Sequence, residues 1–301
     1  MPFTAKSGKF NASINTVEFG TGDKAVKIGG ENVFPLYSFD AAIENAPKVG
    51  IEITDFGMEH EPECIKKYYE GCATLADMAR KAASMEGVDF LSFRMEGGDP
   101  NGANKSTEEL IGELKEIADA VDLPLVVCGC KNVEKDAELF SKAAEALNGK
   151  NAVILSAKEE NYKTVGAAAG LAYKQIVGAE SAVDINLAKQ LNVLISQLGV
   201  DSKSVVMNVG SAAVGYGFEY VISTMDRVKA AALQQGDANL QMPIITPVAS
   251  EAWGVKEAMA SETDAPEWGS QEERGIDMEV ETAMAVIAAG SNARSEERRV
   301  G

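Results

Sequence analysis

From Val49 onward the chain repeats one pattern seven times, a short apolar run of strand length followed by an amphipathic stretch with helical spacing. The runs are VGIEITDF, VDFLSFRM, PLVVCGC, AVILSA, QIVGAE, SVVMNVG and PIITPVA. Among the stretches between them, STEELIGELKEIADAV opens with Ser106 three residues before Glu109, a capping-box spacing. DINLAKQLNVLISQLG carries Leu187, Leu191, Leu194 and Leu198 down one side. A single helix is expected over Lys66 to Ser84, and another over NYKTVGAAAGLAYK, where Gly166 and Gly170 suggest close packing. Nearly continuous apolar strands alternating with helices imply a parallel sheet covered on both faces, and this many sequential units favour a closed barrel over an open sheet. Ahead of the repeat, NTVEFGTGDKAVKIGG sets two alternating runs around Gly20 to Asp23, the pattern of a β-hairpin. The expected architecture is an α/β fold, a (β/α)8 TIM barrel over 49–293 preceded by a hairpin and lead-in over 1–48.

Such a barrel needs an eighth strand, whose place is after Gly290. There the chain reads SNARSEERRVG, with five charged residues in its last eight and one β-branched residue, Val300. A buried parallel strand of that composition would leave charge in the core. The expectation is therefore an eighth βα unit lost by C-terminal truncation, an open seam between the first and seventh strands, and a non-native tail over 294–301 that looks like translated adaptor sequence.

Lys and Arg total 28 against 46 Asp and Glu, a net charge of −18, and a field of that sign repels nucleic-acid phosphates. Apolar stretches end well short of the ~20 residues that cross a bilayer, and the N-terminus shows no secretory h-region, so a cytoplasmic location is expected. Cys64, Cys72, Cys128 and Cys130 lack the C-x-x-C spacing that zinc and cluster sites favour, and the single histidine, His60, lies in the polar segment GMEHEPE. PLVVCGC reads as a strand tip in which Val126 and Cys128 share a face.

In barrels of this kind chemistry sits at the carboxyl ends of the strands. Those ends carry Thr54 and Asp55, Arg94 and Glu96, Cys128 and Cys130, Ala157 and Lys158, Glu180, Asn208, and Thr246. Lys158 invites a Schiff-base reading. The loop PVASEAWG lacks an anion cradle, however, and the carboxylates of KEEN would keep the lysine protonated, so Lys158 is expected to be solvated. Gly210, Gly215 and Gly217 miss the G-x-G-x-x-G fingerprint, because Tyr220 stands at the third position. FRMEGGDPNGANKS is the richest polar loop.

Taken together, KIGGENVFPLYSFD, VGIEITDFG, DFLSFRMEGGDPNG, PLVVCGC with NVEKDAE, and GYGFEY resemble the small subunit of the corrinoid iron-sulfur protein of the acetyl-CoA (Wood-Ljungdahl) pathway. The resemblance runs from the hairpin to about Ala293. It implies a barrel without an iron-sulfur cluster of its own, paired with a large subunit that carries a cluster and mainly holds a cobalamin. The heterodimer takes a methyl group from methyltetrahydrofolate methyltransferase and passes it to acetyl-CoA synthase. Relatives continue after a similar Ser-Asn-Ala with an apolar strand and a final helix. On strand-end position, Asp55, Arg94, Glu96, Asn208, Gly215, Tyr216, Gly217 and Thr246 are the residues expected to face the corrinoid. The alternative is a methyltetrahydrofolate-dependent methyltransferase with a pterin-binding barrel, in which Asp55 and Asn208 would imitate the pterin grip.

Overall fold

The computed structural model describes residues 8–296. Strands β1 (Val17–Phe19) and β2 (Val26–Ile28) form the antiparallel hairpin, with Glu18 opposite Lys27. Eight parallel strands follow: β3 (Lys48–Thr54), β4 (Phe90–Arg94), β5 (Leu125–Cys128), β6 (Val153–Ala157), β7 (Ile176–Glu180), β8 (Val205–Asn208), β9 (Ile245–Pro247) and β10 (Ala293–Glu296). Their order around the sheet is β8-β7-β6-β5-β4-β3-β10-β9, and a parallel bridge between Met207 and Ile244 joins the two ends into a ring. The outer layer comprises helices α1 (Glu63–Tyr68), α2 (Leu75–Ala83), α3 (Thr107–Ala120), α4 (Val133–Ala146), α5 (Tyr162–Val165), α6 (Ile185–Gln197), α7 (Phe218–Leu233), α8 (Ala249–Ala252), α9 (Lys256–Met259) and α10 (Gln271–Ala289).

Strand alternation divides the apolar residues into two cores. Ile51, Ile53, Leu91, Phe93, Val127, Ile154, Val177, Val205 and Met207 face outward against the helices and are fully or almost fully buried. At about 1.5 to 3 kcal/mol for each large side chain, this layer dominates the stabilisation. Inward-facing Phe90, Val126, Val153, Ile176, Val206, Ile245 and Ala293 fill the lower barrel, where Val17, Phe19, Val26 and Ile28 of the hairpin close it as a plug. Phe19 meets Phe90 edge to face at 5.7 Å, and Gly50 makes room for the Phe90 ring, since a Cβ there would lie 2.1 Å from it. The carboxyl end of the barrel is left to polar side chains.

Three expectations need correction. The seam is closed: Ala293–Glu296 pairs with β3 on one side and β9 on the other. Its charges are not stranded, because Arg294 and the buried Glu296 share the outer face and pair with each other at 2.7 Å. Ser295 points inward instead, and its hydroxyl donates to Glu52 at 3.1 Å. The rest of the tail, 297–301, lies outside the described residues. The helix expected over Lys66 to Ser84 is two helices, because Gly71 takes φ +88° and Thr74 starts α2 with a capping box to Asp77. The helix after β6 continues from α5 as a π-helical stretch, Gly166–Ala172. Its two glycines pack as expected, for a Cβ would lie 2.9 Å from Leu198 at Gly166 and 2.7 Å from Val200 at Gly170.

Candidate functional site: the barrel mouth

Glu52 and Arg94 occupy the inward face of β3 and β4, one layer above the apolar plug. Arg94 Nε donates to Glu52 Oε1 at 2.7 Å and Nη2 to Oε2 at 3.2 Å, with the Glu52 side chain fully buried. Ser92 and Ser295 also donate to Oε2, so the carboxylate has a complete set of partners. Burial works against the charge on Arg94, but Glu52, Cys128 and Glu96 outweigh it and hold the guanidinium pKa above its ordinary value.

Two cavities open above this pair, and Arg94, Gly129 and Lys131 line both. One, of about 320 Å³, lies on the β6 to β8 side and is lined by Ser156, Lys158, Glu180, Asn208 and Ser211. The other, of about 520 Å³, lies on the β3 and β4 side, with Thr54, His60, Glu96, Asp99, Ser250 and Trp253 in its wall. Lys131 Nζ reaches Glu251 at 3.0 Å between them.

Each lysine and arginine in these walls has a carboxylate partner: Arg94 with Glu52, Lys131 with Glu251, and Lys158 with Glu180 at 3.2 Å. Lys158 is therefore a half-buried wall residue rather than a solvated one, and its partner is Glu180 rather than the carboxylates next to it in sequence. Among the described residues no group of three or more His, Cys, Asp or Glu side chains is placed to hold a metal ion.

PLVVCGC is a strand tip. Cys128 points into the barrel beside Ser92 at 3.5 Å, whereas the Cys130 thiol donates to Asp136 at 3.2 Å. Gly129 lets Asp136 approach, because a Cβ there would sit 2.2 Å from its carboxylate. Burial pushes the Cys128 thiol up to about 11 and the Cys130 thiol to about 12. Burial also raises Asp136 above its ordinary value, against the hydrogen bonds it accepts from Cys130.

The residues expected at the mouth separate by strand parity. Arg94, Glu96 and Asn208 line the cavities. Asn208 donates to Ser156 at 3.1 Å and accepts from the Gly210 amide at 3.0 Å. Asp55 follows inward-facing Thr54 and so points outward, where Gly97 N–H and Lys105 occupy its carboxylate. Thr246 also faces outward, bonded to Ser291 at 2.8 Å. Gly215, Tyr216 and Gly217 form a rim loop in which both glycines have positive φ, and the exposed Tyr216 hydroxyl donates to Glu257. The loop is outside the walls of both cavities.

Several wall residues, Glu52, Ser250 and Trp253 among them, are not among the strand-end candidates. Glu52 was legible in the alternation Gly50-Glu52-Thr54. Ser250 and Trp253 lie in PVASEAWG, a loop judged only for the absence of an anion cradle. Trp253 is 7% exposed, its indole N–H and the Ser250 hydroxyl have no hydrogen-bond partner among the described residues, and both residues line the larger cavity. The benzo edge of the indole rests on Gly275 of α10, where a Cβ would lie 2.3 Å from the ring.

Fold and mouth together define a closed parallel (β/α) barrel, plugged at its amino end by a hairpin, with a polar mouth whose lysines and arginines are paired with carboxylates. Solved structures share the fold. The dihydropteroate synthase of Yersinia pestis superposes with a TM-score of 0.51 at 12% identity, over 84% of this chain and 86% of that one. The dihydropteroate synthase of Thermus thermophilus, in complex with 4-aminobenzoate, gives 0.50 at 13% identity over 93% and 94%. Sequence comparison is more specific: residues 16–288 match the model of the CO dehydrogenase/acetyl-CoA synthase delta subunit, and the chain belongs to that family. Acetyl-CoA decarbonylase/synthase complex subunit delta 1 of Methanosarcina thermophila is 30% identical over 91% of this chain and 63% of its own length. Subunit delta of Archaeoglobus fulgidus is 31% identical over 90% and 60%. The chain thus spans about three-fifths of the length of these relatives.

Proposed function

We propose that the chain is the barrel subunit of a corrinoid methyl carrier, whose mouth covers a cobalamin held mainly by the corrinoid iron-sulfur large subunit. In this reading the heterodimer receives a methyl group from methyltetrahydrofolate methyltransferase and delivers it to acetyl-CoA synthase. Membership of the delta-subunit family supports a place in the acetyl-CoA-forming complex. The observation that carries the reading is the pairing of Arg94, Lys131 and Lys158 with carboxylates, which among the described residues leaves no free lysine or arginine in the cavity walls to grip phosphate or attack a carbonyl.

The residues fit a large neutral ligand. The orphan Trp253 and Ser250 donors, the unpartnered Ser211 hydroxyl and the side chain of Asn208 offer hydrogen bonds around a rim without excess positive charge. The corrinoid supplies the cobalt that carries the methyl group, and the chain's own part is to orient the ring and exclude water. A pterin reading would draw on Asp55, but that carboxylate is committed to Gly97 and Lys105 away from the cavities.

Co-expression with a corrinoid iron-sulfur large subunit, followed by a visible spectrum, tests the proposal. Arg94→Ala and Asn208→Ala should perturb the corrinoid bands and slow methyl transfer. If both variants match the wild type in spectrum, assembly and rate, or if the chain alone binds methyltetrahydrofolate stoichiometrically, the reading is wrong.

A further inference from the structure

We infer that the larger mouth cavity is a carboxamide-reading site, which recognises a neutral primary amide through Trp253 and Ser250, which follow β9, and Glu96 and Asp99, which follow β4, three places away in the ring. The inference rests on the corrinoid reading of the mouth and adds the chemical group that this cavity would hold.

The Trp253 indole is nine-tenths buried, and its benzo edge is fixed on Gly275, so its N–H is held in place without a partner among the described residues. The Ser250 hydroxyl in α8 is likewise buried and unpartnered among them. A buried donor left unpaired costs about 1 to 3 kcal/mol, which an arriving acceptor would recover. The two residues line the same 520 Å³ cavity as Glu96 and Asp99, which follow β4.

Charge decides what kind of acceptor fits. Arg94 and Lys131, the Arg and Lys side chains in this wall, are already neutralised by Glu52 and Glu251. A ligand carboxylate would satisfy the indole and hydroxyl but face Glu96 and Asp99 without an unpaired lysine or arginine to offset them. An ammonium group would suit those carboxylates and leave both donors unsatisfied. A primary carboxamide presents a carbonyl to the donors and an NH₂ to the carboxylates. Corrinoids carry such amides around the ring edge.

Equilibrium dialysis with dicyanocobinamide, which retains its amides, and with the dicyano heptacarboxylate of the same ring tests this on the full chain, alone or joined to its large subunit. Trp253→Phe removes the N–H together with the benzo edge that rests on Gly275, and Ser250→Ala removes the hydroxyl alone. Each variant is expected to weaken cobinamide retention about five- to tenfold and leave the heptacarboxylate's weak retention unchanged. A nitrogen-15 spectrum supplies a second readout free of the chain's overall negative charge, in which millimolar propionamide should shift the Trp253 indole resonance and propionate should not. Equal cobinamide retention by wild type and both variants overturns the inference and leaves the corrinoid reading standing. No retention by the chain in either setting overturns the reading, and the inference with it.

Discussion

Lys131 Nζ lies 3.0 Å from Glu251 Oε1 on a line that crosses the barrel mouth. Lys131 follows β5 and Glu251 follows β9, which stand four places apart in the ring of eight and therefore opposite each other. The pair is a strap across the mouth between the two cavities. With side-chain exposures of 64% and 32%, the pair contributes no more than about 1 kcal/mol and is screened by salt. Lys131→Met is expected to leave the urea midpoint nearly unchanged, to speed association of a mouth ligand, and to abolish the salt dependence of that association. Stopped-flow rates at low and high salt check it, and a variant with wild-type salt dependence would refute the strap.

The Glu52–Arg94 pair should behave in the opposite way. Glu52→Ala leaves a buried guanidinium without its counter-charge and is expected to cost about 3 to 5 kcal/mol in a urea titration. Ser295→Ala removes one of the four hydrogen bonds that Glu52 accepts and is expected to cost about 1 kcal/mol. If the two variants are equally stable, the pair is not the keystone of the upper barrel.

Much of this arrangement is readable from strand parity, and the misses show where parity was not applied. The barrel, its hairpin and the mouth follow from period and element order. Thr54 and Asp55 form one strand end in the sequence, but successive residues of a strand point to opposite faces, and this is why Asp55 and Thr246 lie away from the cavities. The tail ARSE looks unfit for the barrel only if a buried parallel strand must be apolar on both faces. The upper barrel interior is polar, so Ser295 suits it, and the Arg294–Glu296 pairing depends on outer-face geometry that composition does not contain. Trp253 is hidden for a different reason, since the ring is seated in the core against residues distant in sequence, Gly275 among them.

The thiols of PLVVCGC are expected to resist alkylation. With values of about 11 for Cys128 and about 12 for Cys130, roughly a thousandth or less of each is thiolate at pH 8. Cys72, only partly buried, should react first with iodoacetamide in the native chain. Both folded values lie above the ~8.5 of an unfolded thiol, so the stability they contribute is complete below about pH 8.5 and is lost as pH rises through 11 and 12. Cys128→Ala should flatten that alkaline loss; peptide mapping and urea titrations from pH 7 to 10.5 report both effects.

Closure of the ring depends on four residues at the seam. The first of the eight barrel strands, β3, and the seventh, β9, both find their neighbour in Ala293–Glu296, through Lys48 to Ile51 on one side and Ile245 to Pro247 on the other. A chain ending at Asn292 would expose the backbone edge of each, and unpaired parallel edges template association. It would also remove Ser295 from Glu52 and open the polar upper barrel to water. The truncated chain is therefore expected to elute as a soluble aggregate and to unfold at lower urea than the 301-residue chain. Restoring only Ala293 to Glu296 should recover most of the difference, because those residues supply both ladders. Size-exclusion chromatography with light scattering decides the matter: a monodisperse chain ending at Asn292, with an unchanged urea midpoint, would show that the ring does not need this strand.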